Sequence, residues 1–355
     1  MNVFTNKSFD NHEQVVFCHD QLTGLRAIIA IHNTKLGPAL GGTRMYPYHN
    51  EEDALVDVLR LSKGMTYKAA VSGLNLGGGK AVIIGDPKKI GSEAFFRAFG
   101  RFVNSLNGRY ITAEDVGTNV KFMDWIRIET PNVTGVSTYM GGSGNPSPFT
   151  AHGVLVGIKS CLKKQRGNDS LSGVKIAVQG VGNVGYYLCK ELYEQGAELY
   201  VTDINSEAIK RVVDEFKAKV VGCDEIYSVD ADVYSPCALG ATINETTIPM
   251  LKCSIIGGAA NNQLLEEKHG EMLKKAGILY APDYVINAGG LINVNSEVYG
   301  GGTEYVLSQI ENIYDTLLNI YDISDKEGIS THIAATRIAE KRIAEVSRVK
   351  DVFNG

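Results

Sequence analysis

The sequence predicts an α/β protein of two domains, an N-terminal α/β domain followed by one built on a doubly wound parallel sheet. Three observations lead there. The chain has 355 residues, long for one hydrophobic core and comfortable for two. Its first third alternates strand-like and helix-like segments, and later the alternation becomes regular, with short apolar strands separated by helical or looping stretches. Between the two patterns lies GGSGNPSPFT (141–150), three glycines and two prolines in ten residues, the composition of an interdomain hinge.

The elements follow in order. EQVVFCHD and LRAIIAIH read as two strands joined by a turn around Gly24. NEEDALVDVLRLSKGMTYKAA reads as a helix, with Asn50 as N-cap, acids in the first turn and apolar residues at helical spacing. A glycine-rich turn, GLNLGGG, then delivers Lys80 and the strand KAVII. A helix through SEAFFRAFGRFVNSLNG and the strand RYITAED complete the first domain. After the hinge a helix is expected over about 151–164. VKIAVQG, AELYVTD, VDADVYSPC, CSIIGGAA and ILYAPDYVINA are the strands of the second domain. Two amphipathic helices fill about 303–350. The expected domains are 1–140 and 141–329, with the helix 330–355 returning to the first.

Composition narrows the function. Hydrophobic content of 44% and charged content of 21% are those of an ordinary globular protein. A net charge of -5 without a long basic run disfavours nucleic acid or an anionic membrane as partner. The polar N-terminus is unlike a signal peptide, and no apolar run approaches a membrane span, so a cytoplasmic protein is expected. Six scattered cysteines without a CxxC suit reduced thiols, and seven histidines show no ligand spacing. No metal is expected.

VKIAVQGVGNVGYYLCKELYEQGAELYVTD carries the sharpest motif. A strand runs into Gly180-Val181-Gly182-Asn183-Val184-Gly185, which opens a helix, and a second strand ends at Asp203. In such a unit the first glycine makes the tight turn, the second lets a pyrophosphate touch backbone, and the third lets helix pack on strand. The phosphates sit at the helix N-terminus. A bare GxGxxG is a weak signal, and the register of strand, helix, strand and acid makes it a dinucleotide site. Asp203, 18 residues after the last glycine, stands where a carboxylate bonds a ribose 2′-hydroxyl, which favours NAD over NADP.

The first domain must supply the chemistry. LGGGKAVII is not a phosphate loop, because that pattern needs glycine and Ser or Thr where Leu74 and Ala81 stand. Lys68, Lys80 and Asp115 attract attention instead. Most lysines and aspartates are surface charges, but a lysine between a glycine run and an apolar strand is poorly placed for solvent. Two lysines at one site would disfavour each other's charge, leaving one neutral as a base and the other cationic for an anionic group. A neighbouring Asp would pass protons or orient the base.

LGPALGGTRMYPY, LNLGGGKAVIIGDP, YITAEDVGTNV, GSGNPSPFTAHGV, AVQGVGNVG, PCALGATIN and YVINAGGLINV together resemble the leucine dehydrogenase branch of the Glu/Leu/Phe/Val dehydrogenase family over nearly the whole chain. The resemblance implies reversible oxidative deamination of an L-amino acid to its 2-oxo acid and ammonia, with NAD taking the hydride in a cleft between the domains. It also implies a homo-oligomer, commonly an octamer. By the same resemblance Lys80 is the base that activates the water attacking the imine, Asp115 shares proton transfers with it, and Lys68 binds the substrate carboxylate with help from Asn262. The glycines before Lys80 are then expected to leave room for substrate and cofactor. Thr150 is expected to contact the nicotinamide amide, and Ala238 to lie in the cofactor site. Gly41, Leu40, Ala113, Thr134, Leu291 and Val294 line the substrate side. No charged residue there awaits a second carboxylate, which argues against glutamate. Leu291 departs from the leucine-type pattern towards the aromatic branches, so phenylalanine or tryptophan is the second expectation. A noncatalytic NAD-binding sensor is the rival from another class, and a hydroxy-acid or malic-type dehydrogenase a third reading. A sensor would have no need of Lys68, Lys80 and Asp115; the hydroxy-acid or malic type would need no ammonia in reverse and often a metal, and neither accounts for the first domain as well.

Overall fold

The computed structural model describes residues 2–353, so Asn354 and Gly355 of the expected last helix lie outside it. The described chain forms two compact units. One holds the residues up to Asn145, Val294–Gly300 and those from Ala339 onward; the other holds Pro146–Asn293 and Gly301–Ile338.

The first unit contains β1 (Gln14–Asp20), β2 (Leu25–Asn33), β3 (Ala39–Tyr46), α1 (Glu51–Val71), β4 (Gly77–Ile84), α2 (Glu93–Asn104), β5 (Tyr110–Glu114) and α3 (Val120–Glu129). Its sheet order is β1-β2-β4-β3-β5. β1 and β4 run antiparallel to β2, while β3 runs parallel to β4 and β5. Both faces are covered, which is why these strands are apolar almost throughout. Ile28, Ala30 and Val82 point to α1 and meet Ala54, Leu55, Val58 and Leu59. The alternate residues Ile29, Ile31, Ala81 and Ile83 share the opposite core with Phe95, Phe96 and Phe99 of α2 and Met123 and Ile126 of α3. Helix α1 begins as its sequence predicts: the Asn50 side chain accepts from the Asp53 N–H, and Glu51, Glu52 and Asp53 fill the first turn.

Two features differ from the sequence-based expectation. β3 is a full central strand although ALGGTRMY was not expected to be one; its glycine pair hides the β pattern. The glycines expected to form a turn, Gly77–Gly79, are themselves the first three residues of β4. Lys80 therefore sits inside a strand, paired with Ala30 across the antiparallel ladder, and not at a strand boundary.

The second unit comprises α4 (Ser147–Arg166), β6 (Lys175–Gln179), α5 (Asn183–Glu194), β7 (Glu198–Thr202), α6 (Ser206–Phe216), β8 (Lys219–Val220), β9 (Val233–Pro236), β10 (Ile255–Ile256), α7 (Lys268–Lys275), β11 (Leu279–Tyr280) and α8 (Asp283–Ile286). α9 (Gly289–Tyr299), α10 (Thr303–Glu327) and α11 (Thr331–Phe353) follow. α9 passes into the first unit at Val294, and α11 at Ala339. The sheet order β8-β7-β6-β9-β10-β11 is parallel throughout, the doubly wound dinucleotide-binding order in which the chain reverses direction beside β6. α4 starts at Ser147, four residues before the expected Ala151, with Pro148 in its first turn. A proline there has no N–H that the helix would need, so the last four residues of the apparent hinge are helix.

Candidate active site

Lys80 is held by the glycines before it, and the reason is internal packing. A Cβ on Gly78 would fall 2.1 Å from Thr66 Oγ1 and 2.2 Å from the Thr66 backbone N, so α1 lies directly on β4 there. A Cβ on Gly77 would meet Asn33 O at 2.0 Å, and one on Gly79 the Tyr110 ring at 2.7 Å. The space expected to admit substrate and cofactor is filled by the protein itself. Lys80, two residues beyond Gly78, points to the same α1 side of the sheet. Its residue is only 5% exposed, and its Nζ donates to Asp115 Oδ1 at 2.8 Å.

That pair bridges a whole strand. Lys80 is on β4 and Asp115 just past β5, with β3 between them. Gly42 of β3 makes the crossing possible, because a Cβ there would lie 2.9 Å from Asp115 Cβ and 2.4 Å from Glu114 O. Thr118 turns the chain back over β3: its hydroxyl donates to Thr43 O at 2.9 Å and accepts from the Asp115 N–H at 2.9 Å.

Asp115 has a second cation. Arg44 of β3 donates from Nε to Asp115 Oδ2 at 2.9 Å and from Nη1 to Asp57 Oδ2 at 3.0 Å, and the Tyr48 hydroxyl donates to the same Asp57 oxygen at 2.6 Å. Burial pushes the Asp115 carboxyl up, but Lys80 and Arg44 outweigh it and hold the group down at about 2. Burial, helped by the Asp115 charge, raises the neighbouring Glu114. Sequence reasoning passed over Gly42, Arg44 and Asp57. The signal was present in GGTRMYPY, where an arginine stands inside an otherwise uncharged strand.

Of the other expected residues of this unit, Lys68, Leu40, Gly41 and Ala113 lie on α1, β3 and β5, while Thr134 is in the loop after α3 and Val294 on α9. Lys68, half-buried, is in the last turn of α1, three residues from Met65, whose Cγ lies 3.3 Å from where a Gly41 Cβ would be. Leu40 and Gly41 lie on β3 and Ala113 on β5, with Gly41 paired to Thr112 and Gly42 to Ala113. Thr134 is buried beside them, its N–H donating to Thr112 O at 2.8 Å. Val294 is half-buried on α9. Distant chain also braces the site. Glu297 of α9 accepts from the N–H groups of Gly135 and Ser143 at 2.9 Å each. Arg342 of α11 donates to the carbonyls of Ala70, Gly73 and Leu74, where a cation suits the end of α1. Nothing local in the sequence marks either residue.

In the second unit the three motif glycines take three roles. Gly180 has φ +96° and a Cβ there would meet Ala238 Cβ at 2.6 Å; a Cβ on Gly185 would fall 2.0 Å from Gly180 O. Gly182 faces no protein atom within 4 Å. Asn183 and Val184 begin α5, whose N-terminus has no side-chain cap, so its N–H groups remain for an anion. A dinucleotide pyrophosphate fits that opening. Asp203 follows β7 and accepts from the Val181 N–H at 2.8 Å and the Asn205 N–H at 2.9 Å. Thr150 is in the first turns of α4, its hydroxyl donating to Pro146 O and lying 2.6 Å from where a Gly290 Cβ would be. Leu291 is buried on α9, while Asn262 is exposed with φ +53°. Among the described residues no group of three or more His, Cys, Asp or Glu is placed to hold a metal.

The chain is similar to known proteins over nearly its whole length. The family model described as "Glu/Leu/Phe/Val dehydrogenase, dimerisation domain" matches residues 12–132. That described as "Glutamate/Leucine/Phenylalanine/Valine dehydrogenase" matches 141–209 and 199–351. The chain is 59% identical to leucine dehydrogenase of Bacillus cereus over 343 residues, 97% of this chain and 94% of that protein. The crystal structure of L-tryptophan dehydrogenase from Nostoc punctiforme superposes with TM-score 0.83 at 50% identity, covering 95% of this chain and 97% of that one. Hetero-hexameric glutamate dehydrogenase from Thermus thermophilus shares the fold, with TM-score 0.79 at 21% identity over 96% of this chain and 90% of that one.

Proposed function

The chain belongs to the Glu/Leu/Phe/Val dehydrogenase family, and on that premise we propose how its residues carry the reaction. The protein is a nicotinamide-dinucleotide-dependent amino acid dehydrogenase that reversibly deaminates an aliphatic L-amino acid, leucine first and valine and isoleucine after it, to the 2-oxo acid and ammonia. The observation that carries the residue assignment is the Lys80–Asp115 pair at 2.8 Å, with Lys80 buried and Asp115 half-buried.

Lys68 binds the substrate carboxylate, helped by Asn262. When bound, the dinucleotide supplies the acceptor for the hydride leaving Cα. Lys80, in its neutral form, first takes a proton from the substrate ammonium, so that the hydride can leave and the imine form, and passes it to solvent. It then takes a proton of the water that adds to the imine carbon and hands it to the nitrogen; as the C–N bond breaks it takes the remaining hydroxyl proton, so that ammonia leaves and the 2-oxo acid forms. Asp115, ionised from about pH 2 upward, works as a fixed anion that orients Lys80. It is a poor store for the proton itself, and orienting is the better of the two roles its position suggested.

NAD is the proposed dinucleotide, because a 2′-phosphate would face the Asp203 carboxylate. Leu40, Ala113, Thr134, Leu291 and Val294 are the proposed walls of the side-chain pocket. One methylene changes binding in such a pocket by about 1–3 kcal/mol, so the branched-chain amino acids should overlap as substrates. Leu291 favours phenylalanine and tryptophan as the second reading. The proposed assembly is a homo-oligomer, an octamer by the resemblance, with the edge strand β1 and its exposed Phe17 available for pairing. A cytoplasmic enzyme is proposed; no described helix is long and apolar enough to cross a membrane.

The test is reduced-dinucleotide formation from leucine, valine, isoleucine, phenylalanine, tryptophan and glutamate, each with NAD and with NADP. Fastest turnover with leucine and NAD is expected. Faster turnover with an aromatic substrate would move the assignment to the second reading, and equal use of NADP would remove Asp203 as the selector.

A further inference from the structure

We propose that Arg44 is a positioning residue for the reaction: with Asp57 behind it, it fixes the Asp115 carboxylate so that Lys80 is presented to substrate in one orientation. The inference rests on Lys80 being the base.

Lys80 has a flexible four-carbon stem and a compact ammonium without directional preference, so its Nζ is only as well placed as the oxygen it meets. That oxygen belongs to a residue just past the end of β5, in a turn, where backbone alone holds a side chain loosely. Arg44 supplies what is missing. It lies inside β3, paired with Val82, and its rigid fork spends Nε on Asp115 Oδ2 and Nη1 on Asp57 Oδ2. Asp57 is in turn fixed on α1, with Tyr48 donating to the same oxygen. Each Asp115 oxygen thus has one cationic donor, and the carboxylate cannot rotate without breaking one of the two bonds. With Lys80 protonated between its transfers, two cations and two anions alternate along the row Lys80, Asp115, Arg44, Asp57, so the partly buried charge is balanced. A purely structural element at this place would need no such row, since the same side of the sheet is apolar at Ala30 and Val82.

The experiment compares wild type, Lys80→Ala, Arg44→Met, Arg44→Lys and Asp57→Asn by steady-state kinetics with leucine and NAD, alongside Tm. Misplacing a catalytic group by an ångström can cost about 10²-fold, so Arg44→Met should lose roughly that in kcat while KM for leucine, set by Lys68, stays within about threefold. Arg44→Lys keeps the charge without the fork and should recover part of the loss. Asp57→Asn should lie between it and wild type, and it carries the test if Arg44→Met does not fold. An inactive Lys80→Ala beside an Arg44→Met or Asp57→Asn of full kcat overturns the positioning role alone. A fall in Tm with kcat per folded molecule unchanged does the same. Wild-type turnover in Lys80→Ala sinks the base assignment and this inference together.

Discussion

Residues 77–79 and residues 180–185 are both glycine-rich lead-ins to a working element, yet they use the space of their missing side chains in opposite ways. In the first run every absent Cβ is replaced by another part of the protein: Asn33, Thr66 and Tyr110 crowd Gly77, Gly78 and Gly79. In the second, Gly180 and Gly185 are crowded but Gly182 faces no protein atom within 4 Å. One run lets a helix lie on a strand so that a lysine is buried among fixed neighbours. The other leaves one face clear of protein, where a dinucleotide is proposed to lie. A glycine run therefore announces close approach, and only the fold tells whether chain or ligand makes it.

The comparison can be broken at its strongest point. Gly78→Ala forces a Cβ to about 2 Å from Thr66, including backbone that cannot swing aside. Overpacking of this kind costs about 3 kcal/mol or more, and thermal unfolding should show Tm lower by on the order of 10 °C. A variant with unchanged Tm would mean that α1 does not lie where the structure has it. Gly182→Ala is the converse. Its φ of -69° is open to any residue, so Tm should hold within about 2 °C. Calorimetric titration with NAD should show binding weakened about tenfold, as a methyl meets the pyrophosphate.

The smallest effect concerns the helix that the second run opens. Glu191 of α5 faces His152 Nδ1 at 2.8 Å, and Glu311 of α10 faces Nε2 at 2.9 Å. Glu191 raises the imidazole above its ordinary 6.5, burial works against this, and Glu311 adds to the rise. A raised folded-state value means stabilisation complete below pH 6.5 and lost as pH climbs through the raised value. Tm of the wild type should decline modestly from pH 6 to pH 9, and His152→Gln should flatten that decline. An identical slope in the variant would remove His152 as its source.

How much of this the sequence disclosed follows the same division. The dinucleotide half was legible because strand, glycines, helix, strand and Asp203 lie within one continuous stretch, and each glycine's task follows from its place in it. Lys68, Lys80 and Asp115 were legible as residues through motif resemblance, but their arrangement was not. The pair at Lys80 depends on Gly42 and Arg44 in β3, a strand whose glycines mask its pattern, and on Asp57 of α1. Arg342 caps the end of α1 at Ala70 from 272 residues away, and Glu297 secures the loop after Thr134 from helix α9. Such contacts are set by packing between distant segments, and periodicity carries no trace of them. Gly77–Gly79 read as a turn for the related reason that strand propensity is lowest where a neighbouring helix needs the room.

The central claim is that Lys80, fixed by Asp115, performs the proton transfers of amino acid deamination. It is tested most directly by single-turnover NADH formation from leucine in wild type and Lys80→Ala, with NAD affinity measured separately on both. General acid–base catalysis contributes about 10²–10⁴-fold, so the account predicts a loss of that size with NAD affinity unchanged. Turnover within a few-fold of wild type in a variant that still binds NAD would contradict it.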